Sequence, residues 1–310
     1  MNNAYFHEIE SAGLVIIVGE TRKDYLQRQS SNDLSLLNPT SALPNILTAP
    51  TGKILEIFTM IDDSSGYLLT TPANRGRSLS AYFKERVFFN DQVEISDNSS
   101  DWIQFKLVGS KWVEIFAKLF NTEISSEPNS FSVGKIEKWD IKIFAEKGFG
   151  GEPNFLLLAP LHAGKSLISL FEESGALPLG EKDLEAMRIE ASAPGPGEFF
   201  GKFTPFEIGL YDRVSASKGC YTGQEVLARQ ITYDKITRTL VQLKADGRVS
   251  VGMVVLGDGK IVGKVTSAVP TENGSLALAV VKKPFNGPGT SIKLKDHEQE
   301  MLAKILPPSQ

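Results

Sequence analysis

Short apolar runs alternate with amphipathic stretches over the first two hundred residues. The run at 13–18 predicts a strand, and Leu79, Phe83 and Val87 fall on one face of a helix predicted over 78–87. An acidic, glycine-containing turn at 62–66 joins two further strand candidates. The remaining strands of this region are predicted at 54–61, 67–71, 93–95, 103–108 and 155–159, and the remaining helices at about 24–29, 112–120, 164–174 and 183–191.

Several of these strand pairs are joined by short turns, which favours an α+β fold over a strictly parallel α/β sheet. Pro39, Pro44 and Pro50 predict a loop between the first helix and the second strand. The proline- and glycine-rich segment 192–197 predicts a rigid loop after the helix at 183–191.

The pattern changes after Thr232. Six short strand candidates follow in under eighty residues, with Asp258-Gly259 as a hairpin signal between two of them. This density predicts a small closed β-barrel, and hence two domains, 1–232 and 233–310. The six candidates are 237–243, 253–256, 261–266, 276–281, 291–294 and 301–305.

Composition narrows the class of protein. The 310 residues are 41% hydrophobic and 23% charged with a net charge of −4, which is ordinary for a globular chain and unlike a dedicated nucleic-acid binder. One cysteine excludes an internal disulfide and a four-thiolate metal site, and the three histidines lack ligand spacing, so no metal site is predicted. We expect a cytoplasmic protein, because no signal peptide or membrane-spanning run is evident.

The segment Ala163-Gly164-Lys165-Ser166 lies between an apolar run and a helix, as a phosphate-binding loop does. That motif needs a glycine five positions before Gly164, where Ala159 stands. We therefore predict only a helix start here, with Gly175 as the C-cap.

The sequence Lys218-Gly219-Cys220-Tyr221-Thr222-Gly223-Gln224-Glu225 is the strongest local motif. Thr222 and Glu225 form a capping-box pattern that predicts a helix to about Ile231, so Glu225 is either a cap or a ligand contact. The helix start and Lys218 both favour the thiolate form of Cys220, which makes a functional thiol more plausible than an inert one. A second signal, Phe149-Gly150-Gly151-Glu152, is either a surface turn or a close approach to a heterocycle.

The octapeptide, continued as Val-Leu-Ala-Arg229, resembles the signature of the YgfZ-type folate-binding proteins, which are relatives of the aminomethyltransferase (T-protein) of the glycine cleavage system. Supporting similarities are Tyr25-Leu26-Gln27-Arg28-Gln29-Ser30-Ser31-Asn32-Asp33, Pro50-Thr51-Gly52-Lys53-Ile54 and Arg188-Ile189-Glu190-Ala191. Ser192 replaces the glycine that follows the last of these in the family.

The resemblance implies intertwined α+β lobes around a central channel that takes tetrahydrofolate, plus a C-terminal β-barrel. It implies support of iron–sulfur cluster assembly or repair in client enzymes, including enzymes of tRNA modification, through transient contacts with clients or assembly factors and without direct nucleic-acid or membrane binding. Cys220 is the implied reactive thiol. The implied folate contacts are Glu152, Arg188, Glu190, Lys218, Gly219, Tyr221, Gly223, Gln224, Glu225 and Arg229.

Two departures count against aminomethyl transfer. The T-protein carries an acidic pair where this chain has Glu56 alone, and it lacks the cysteine of the octapeptide. A tetrahydrofolate-dependent one-carbon transferase and a folate carrier with an inert Cys220 remain the alternatives.

Overall fold

The computed structural model describes residues 3–120, 124–136, 138–148, 152–297 and 299–308. The chain divides into two compact units. The first comprises Met1–Leu47, Glu56–Glu181 and Asp212–Thr222, and the second comprises Thr48–Leu55, Lys182–Tyr211 and Gly223–Gln310. The predicted domain boundary after Thr232 remains a prediction.

The first unit contains two mainly antiparallel sheets. The six-stranded sheet has the order β11-β1-β7-β10-β9-β8, and the five-stranded sheet has the order β3-β4-β5-β2-β6. Its strands are β1 (Tyr5–Glu8), β2 (Gly13–Val18), β3 (Ala42–Thr48), β4 (Ile54–Asp63), β5 (Gly66–Thr71), β6 (Glu94–Asp97), β7 (Trp102–Val108), β8 (Phe131–Ile136), β9 (Trp139–Glu146), β10 (Asn154–Pro160) and β11 (Leu177–Pro178). Thr48 of β3 and the first two residues of β4 are assigned to the second unit. Its α-helices are α1 (Arg22–Gln29), α2 (Gly76–Lys84), α3 (Lys111–Phe120) and α4 (Gly164–Glu173).

The two faces of the six-stranded sheet bury different partners because side chains alternate along a strand. One face packs against α3 and α4, with Trp112 and Phe171 fully buried beside Phe155. The other face packs against the five-stranded sheet, where Leu156 and Leu158 share a core with Leu14, Ile61 and Leu68. These elements of the first unit therefore form three layers: helices α3 and α4, the six-stranded sheet and the five-stranded sheet.

The second unit contains helices α5 (Glu181–Glu190) and α6 (Gln224–Thr232), of which Glu181 itself falls in the first unit, and a closed barrel. Leu243, Val255 and Ala279 fill the barrel interior. The predicted α+β fold and the barrel of six strands are confirmed. The barrel strands are β12 (Arg238–Ala245), β13 (Val254–Gly257), β14 (Lys260–Thr271), β15 (Gly274–Lys282), β16 (Ser291–Lys295) and β17 (Glu300–Ile305).

The predicted loop around Pro44 is wrong, because Pro44 lies inside β3. This strand is at the edge of its sheet, where a residue without an N–H group removes no necessary ladder hydrogen bond. The helix start at Gly164 is confirmed, and Gly175 follows the C-cap residue Ser174 with a φ of 82°.

Candidate functional site

The polar segment Ser30–Asp33 leaves the end of α1, and its first three residues are buried. Ser30 and Ser31 are fully enclosed, and the Ser30 hydroxyl donates a 2.9 Å hydrogen bond to the Leu26 carbonyl. The Asn32 amide donates to the carbonyl oxygens of Pro44, at 2.8 Å, and Asp212, at 2.9 Å. These bonds join the segment to β3 and to a distant part of the chain.

Lys218 is buried against this same segment. Its Nζ donates hydrogen bonds of 2.7 Å to the carbonyl oxygens of Ser30 and Asn32, and it lies 5.4 Å from the centroid of the Tyr221 ring. Burial lowers the pKa of Lys218 to about 8, and the charge of Asp33 opposes that shift. The structure thus brings two predicted site residues, Lys218 and Tyr221, to the serine- and asparagine-rich segment.

The stretch that precedes Lys218 adds a second cation. The Ser31 hydroxyl donates to the Arg213 carbonyl oxygen at 2.6 Å, and the Arg213 guanidinium donates to the Phe58 carbonyl oxygen at 3.2 Å. Burial lowers the pKa of Arg213, and the carboxylates of Asp212 and Glu146 oppose the shift. Arg213 therefore lies within the electrostatic reach of Glu146 at the end of β9.

Glu146, Lys106 and Asn154 share one face of the six-stranded sheet. Asn154 pairs with Glu146 on β9, and Leu156 pairs with Lys106 on β7, so these four side chains point to the same side. Glu146 and Lys106 form an ion pair across β10. We call Lys106, Glu146, Asn154 and Arg213 the polar corner of the first unit.

Glu152 lies two residues before Asn154, and its carboxylate contacts the residue that precedes α3. Its Oε2 accepts a 3.0 Å hydrogen bond from the backbone N–H of Ser110. Hydrogen bonds from Ser110 lower the pKa of Glu152. Phe149, Gly150 and Gly151, which complete the sequence signal, lie outside the described residues.

Cys220 and Gly219 are exposed. Four residues after Cys220, at Gln224, helix α6 begins and runs to Thr232, as predicted.

The predicted capping box is wrong: the N-cap is Gly223, with a φ of 84° and no side-chain cap hydrogen bond. A Cβ on Gly223 would lie 2.4 Å from the Ala49 carbonyl oxygen, which explains the glycine. The carboxylate of Glu225 instead pairs with Arg229 at 2.5 Å on the exposed helix surface.

Arg188 lies in the second unit in a buried ion-pair network. Its guanidinium donates to the carbonyl oxygen of Ala193 at 2.6 Å, to the hydroxyl of Ser267 at 2.8 Å and to the carboxylate of Glu198 at 3.3 Å. It also pairs with Glu185 on its own helix. The network ties α5 to the proline-rich loop and to β14, while Glu190 at the end of α5 is exposed.

Residues 1–218 match the family model of the GCVT N-terminal domain, and residues 238–309 match that of the glycine cleavage T-protein C-terminal barrel domain. The chain belongs to the glycine cleavage T-protein family.

Similar T-protein family members include a chloroplastic protein of Arabidopsis thaliana described as a candidate transferase, which is 28% identical over 99% of this chain and 73% of its own. The aminomethyltransferase of Oceanobacillus iheyensis is 26% identical over 97% of this chain and 85% of its own. The crystal structure of glycine cleavage system aminomethyltransferase T from Bartonella henselae superposes with a TM-score of 0.83 at 18% identity, over 98% of this chain and 85% of that one.

Glu56, which the sequence analysis compares with an acidic pair of the T-protein, is buried in β4. Its Oε2 accepts a 2.9 Å hydrogen bond from Arg75 Nε, and its Oε1 accepts from the same guanidinium. Burial raises the pKa of Glu56, and Arg75 opposes this shift. Both carboxylate oxygens of Glu56 are thus bonded to one arginine.

Sequence reasoning missed all four residues of the polar corner: Lys106, Glu146, Asn154 and Arg213. They lie on different parts of the chain, and no local motif marks them. Among the described residues, no group of three or more His, Cys, Asp or Glu side chains is placed to hold a metal ion. None of the helices in that part of the chain is long and apolar enough to cross a membrane.

Proposed function

We propose that this T-protein family member binds a reduced folate, tetrahydrofolate or a derivative, at the first unit. The observation that carries the proposal is the polar corner, supported by family models that match nearly the whole chain. A pterin carries paired hydrogen-bond donors and acceptors on a flat ring. The corner supplies a carboxylate, an ammonium, an amide and a guanidinium, which fit such a ring and its acidic tail.

A folate-binding T-protein relative can be an accessory protein or a one-carbon transferase. We favour the YgfZ-type accessory role in iron–sulfur cluster assembly or repair. Cys220 is exposed, as a thiol that meets a client or an iron ion must be. Glu56 is held by Arg75, which disfavours its use as the acid of aminomethyl transfer. The cluster is cargo in this proposal, and client enzymes, including those that modify tRNA, are transient partners in the cytoplasm.

The second candidate function is a tetrahydrofolate-dependent one-carbon transferase. Relatives named aminomethyltransferase favour it. It requires methylenetetrahydrofolate to form from an aminomethyl donor with enzymatic turnover. A folate carrier with an inert thiol is the third possibility, and it requires that replacement of Cys220 have no effect in cells.

Titration of the purified protein with tetrahydrofolate tests the shared part of these proposals. Trp102, Trp112 and Trp139 lie in the first unit and report binding there through their fluorescence. We expect a saturable change at folate concentrations typical of cells. A linear, unsaturated response would contradict folate binding.

Two further assays separate the branches. The accessory role predicts no methylenetetrahydrofolate above background, together with restored iron–sulfur enzyme activity when the chain is expressed in cells that lack their own such factor. Turnover without restoration would instead favour the transferase.

The site residues of the octapeptide remain proposals of unequal weight. Lys218, Gly219 and Tyr221 lie in the first unit with the polar corner, which supports a folate role for them. The other proposed folate contacts rest on the family resemblance alone. They are Glu152 in the first unit and Arg188, Glu190, Gly223, Gln224, Glu225 and Arg229 in the second.

A further inference from the structure

Asn154 is a fully buried amide at the start of β10. Neither its Nδ2 nor its Oδ1 has a hydrogen-bond partner in the described part of the chain. Leaving a buried polar group unpaired costs about 1–3 kcal/mol, and native proteins leave few such groups without a reason. An amide with both of its ends unpaired therefore needs an explanation.

Asn154 lies on the face of β10 that carries Leu156 in the apolar core, but charged side chains lie beside it across the sheet. Its partner on the adjacent strand β9 is Glu146, whose carboxylate pairs with Lys106 on the same face of the sheet. Arg213 lies within electrostatic reach of Glu146, and its carbonyl oxygen accepts a 2.6 Å hydrogen bond from the Ser31 hydroxyl of the polar segment. Phe155, the next residue on β10, points instead into the core under α3 and α4.

A side-chain amide presents one donor and one acceptor side by side. The lactam edge of a pterin presents a ring N–H beside a carbonyl oxygen, which is the complementary pair. A carboxylate accepts but does not donate, so neither Glu146 nor Glu152 can satisfy both atoms of that edge.

We propose that Asn154 recognises the lactam edge of the pterin ring through two hydrogen bonds, and this inference rests on the proposed folate binding. The amide has no exposed surface, so the ligand displaces side chains that cover it in the free protein. The unpaired amide lowers the stability of the free protein, and in this proposal that loss is the cost of recognising the ligand. A buried water that satisfies the amide is the alternative.

Asn154→Leu tests the inference because a ligand contact and a structural contact predict opposite results. Leucine has a similar size and removes the unpaired polar atoms. We expect the melting temperature of the free protein to rise and the affinity for tetrahydrofolate to fall about ten- to hundredfold. Asn154→Ala serves as the second variant, with the same loss of affinity, in case leucine does not fit.

A matched control is Asn286→Leu in the barrel. The Asn286 amide donates a 2.8 Å hydrogen bond to Thr239, so this variant should lose stability and keep its folate affinity. Binding of p-aminobenzoylglutamate, which lacks the pterin, should be equal in wild type and Asn154→Leu.

The outcomes separate the two proposals. If wild type binds tetrahydrofolate and Asn154→Leu and Asn154→Ala bind it equally well, the role of Asn154 is overturned and folate binding stands. A lower melting temperature of Asn154→Leu with unchanged affinity indicates a structural amide or a bound water and also overturns the role. Absence of binding to wild type overturns both.

Discussion

The Nζ of Lys218 lies 2.7 Å from the carbonyl oxygen of Asn32, across 186 residues of sequence. This bond joins the octapeptide to the serine- and asparagine-rich segment, the two stretches that carry most of the family resemblance in the first unit. The ammonium also bonds the carbonyl oxygen of Ser30 at the end of α1, where the helix dipole favours a positive charge. Lys218 therefore ties the octapeptide to the segment that follows α1.

The stability of the protein should depend on the protonation of Lys218. Burial lowers its pKa to about 8 from 10.5, so between these pH values the unfolded chain binds more protons than the folded one. The free energy of unfolding of wild type, relative to that of Lys218→Met, should rise with pH from about 8 to 10.5. Urea denaturation at several pH values measures the difference.

The control for this series is Lys235→Met, because Lys235 is exposed after the end of α6. Replacement of this exposed side chain should change the free energy of unfolding by no more than about 0.5 kcal/mol. If the difference between wild type and Lys218→Met does not change with pH, burial does not shift the titration of Lys218.

The elements that a local signal specifies were predictable from the sequence. Asp258 and Gly259, with φ values of 49° and 75°, form the turn between β13 and β14 at the place where the hairpin signal stands. The barrel strands follow from the alternation of apolar and polar residues around such turns. Helix α6 was predicted correctly, although its cap was assigned to Thr222 instead of Gly223.

The candidate site depends on contacts that no local pattern encodes. Pro44 suggested a loop because its tolerance in β3 depends on an edge position, which only the sheet order reveals. Glu146 and Asn154 become partners only when β9 and β10 pair, and Arg213 comes within electrostatic reach of Glu146 only in the folded unit. The sequence places Lys218 near Cys220, but it does not reveal that the Lys218 ammonium donates hydrogen bonds to the carbonyl oxygens of Ser30 and Asn32.

Arg188→Met should lower the free energy of unfolding by about 3–5 kcal/mol, because Glu198 would remain fully buried with its charge uncompensated. Glu198→Gln in the same chain should restore part of the loss, which a double-mutant cycle in denaturant measures. Arg229→Met removes an exposed ion pair and should change stability by less than about 1 kcal/mol. Equal, small effects for both arginines would show that the buried network does not stabilise the fold.

Glu152→Gln should change the acid limb of the stability curve. Ser110 holds the pKa of Glu152 below 4.5, so the carboxylate contributes stability at neutral pH that is lost as the pH falls through the folded-state value. The variant should therefore lose less stability than wild type when the pH is lowered below about 4.5, as thermal melts in acid can measure. If the variant and wild type lose stability equally as the pH falls, this prediction is contradicted.

The same variant tests the proposed pterin contact of Glu152. A charge-assisted contact predicts a loss of about 1–3 kcal/mol in tetrahydrofolate binding. Unchanged binding in fluorescence titrations would mean that Glu152 only stabilises the start of α3, through its hydrogen bond from Ser110.

Cys220 should be replaceable without cost to folding but not without cost to function. The side chain is exposed, so Cys220→Ser should change the free energy of unfolding by no more than about 0.5 kcal/mol. Iodoacetamide should label one thiol per chain in the native protein at neutral pH, without denaturant, because the sequence contains a single cysteine. Tetrahydrofolate affinity should be nearly the same in Cys220→Ser, since the proposed pterin contacts are made by other residues.

Support of iron–sulfur enzymes in cells is the property that Cys220→Ser should lose. The control is Ser217→Ala, an exposed hydroxyl three residues earlier in the same segment, which should support those enzymes as wild type does. Full support by Cys220→Ser would contradict a thiol-dependent mechanism, and rapid labelling would then mark a reactive but incidental cysteine. Loss of support together with loss of folding would instead assign Cys220 a structural role, which its exposure argues against.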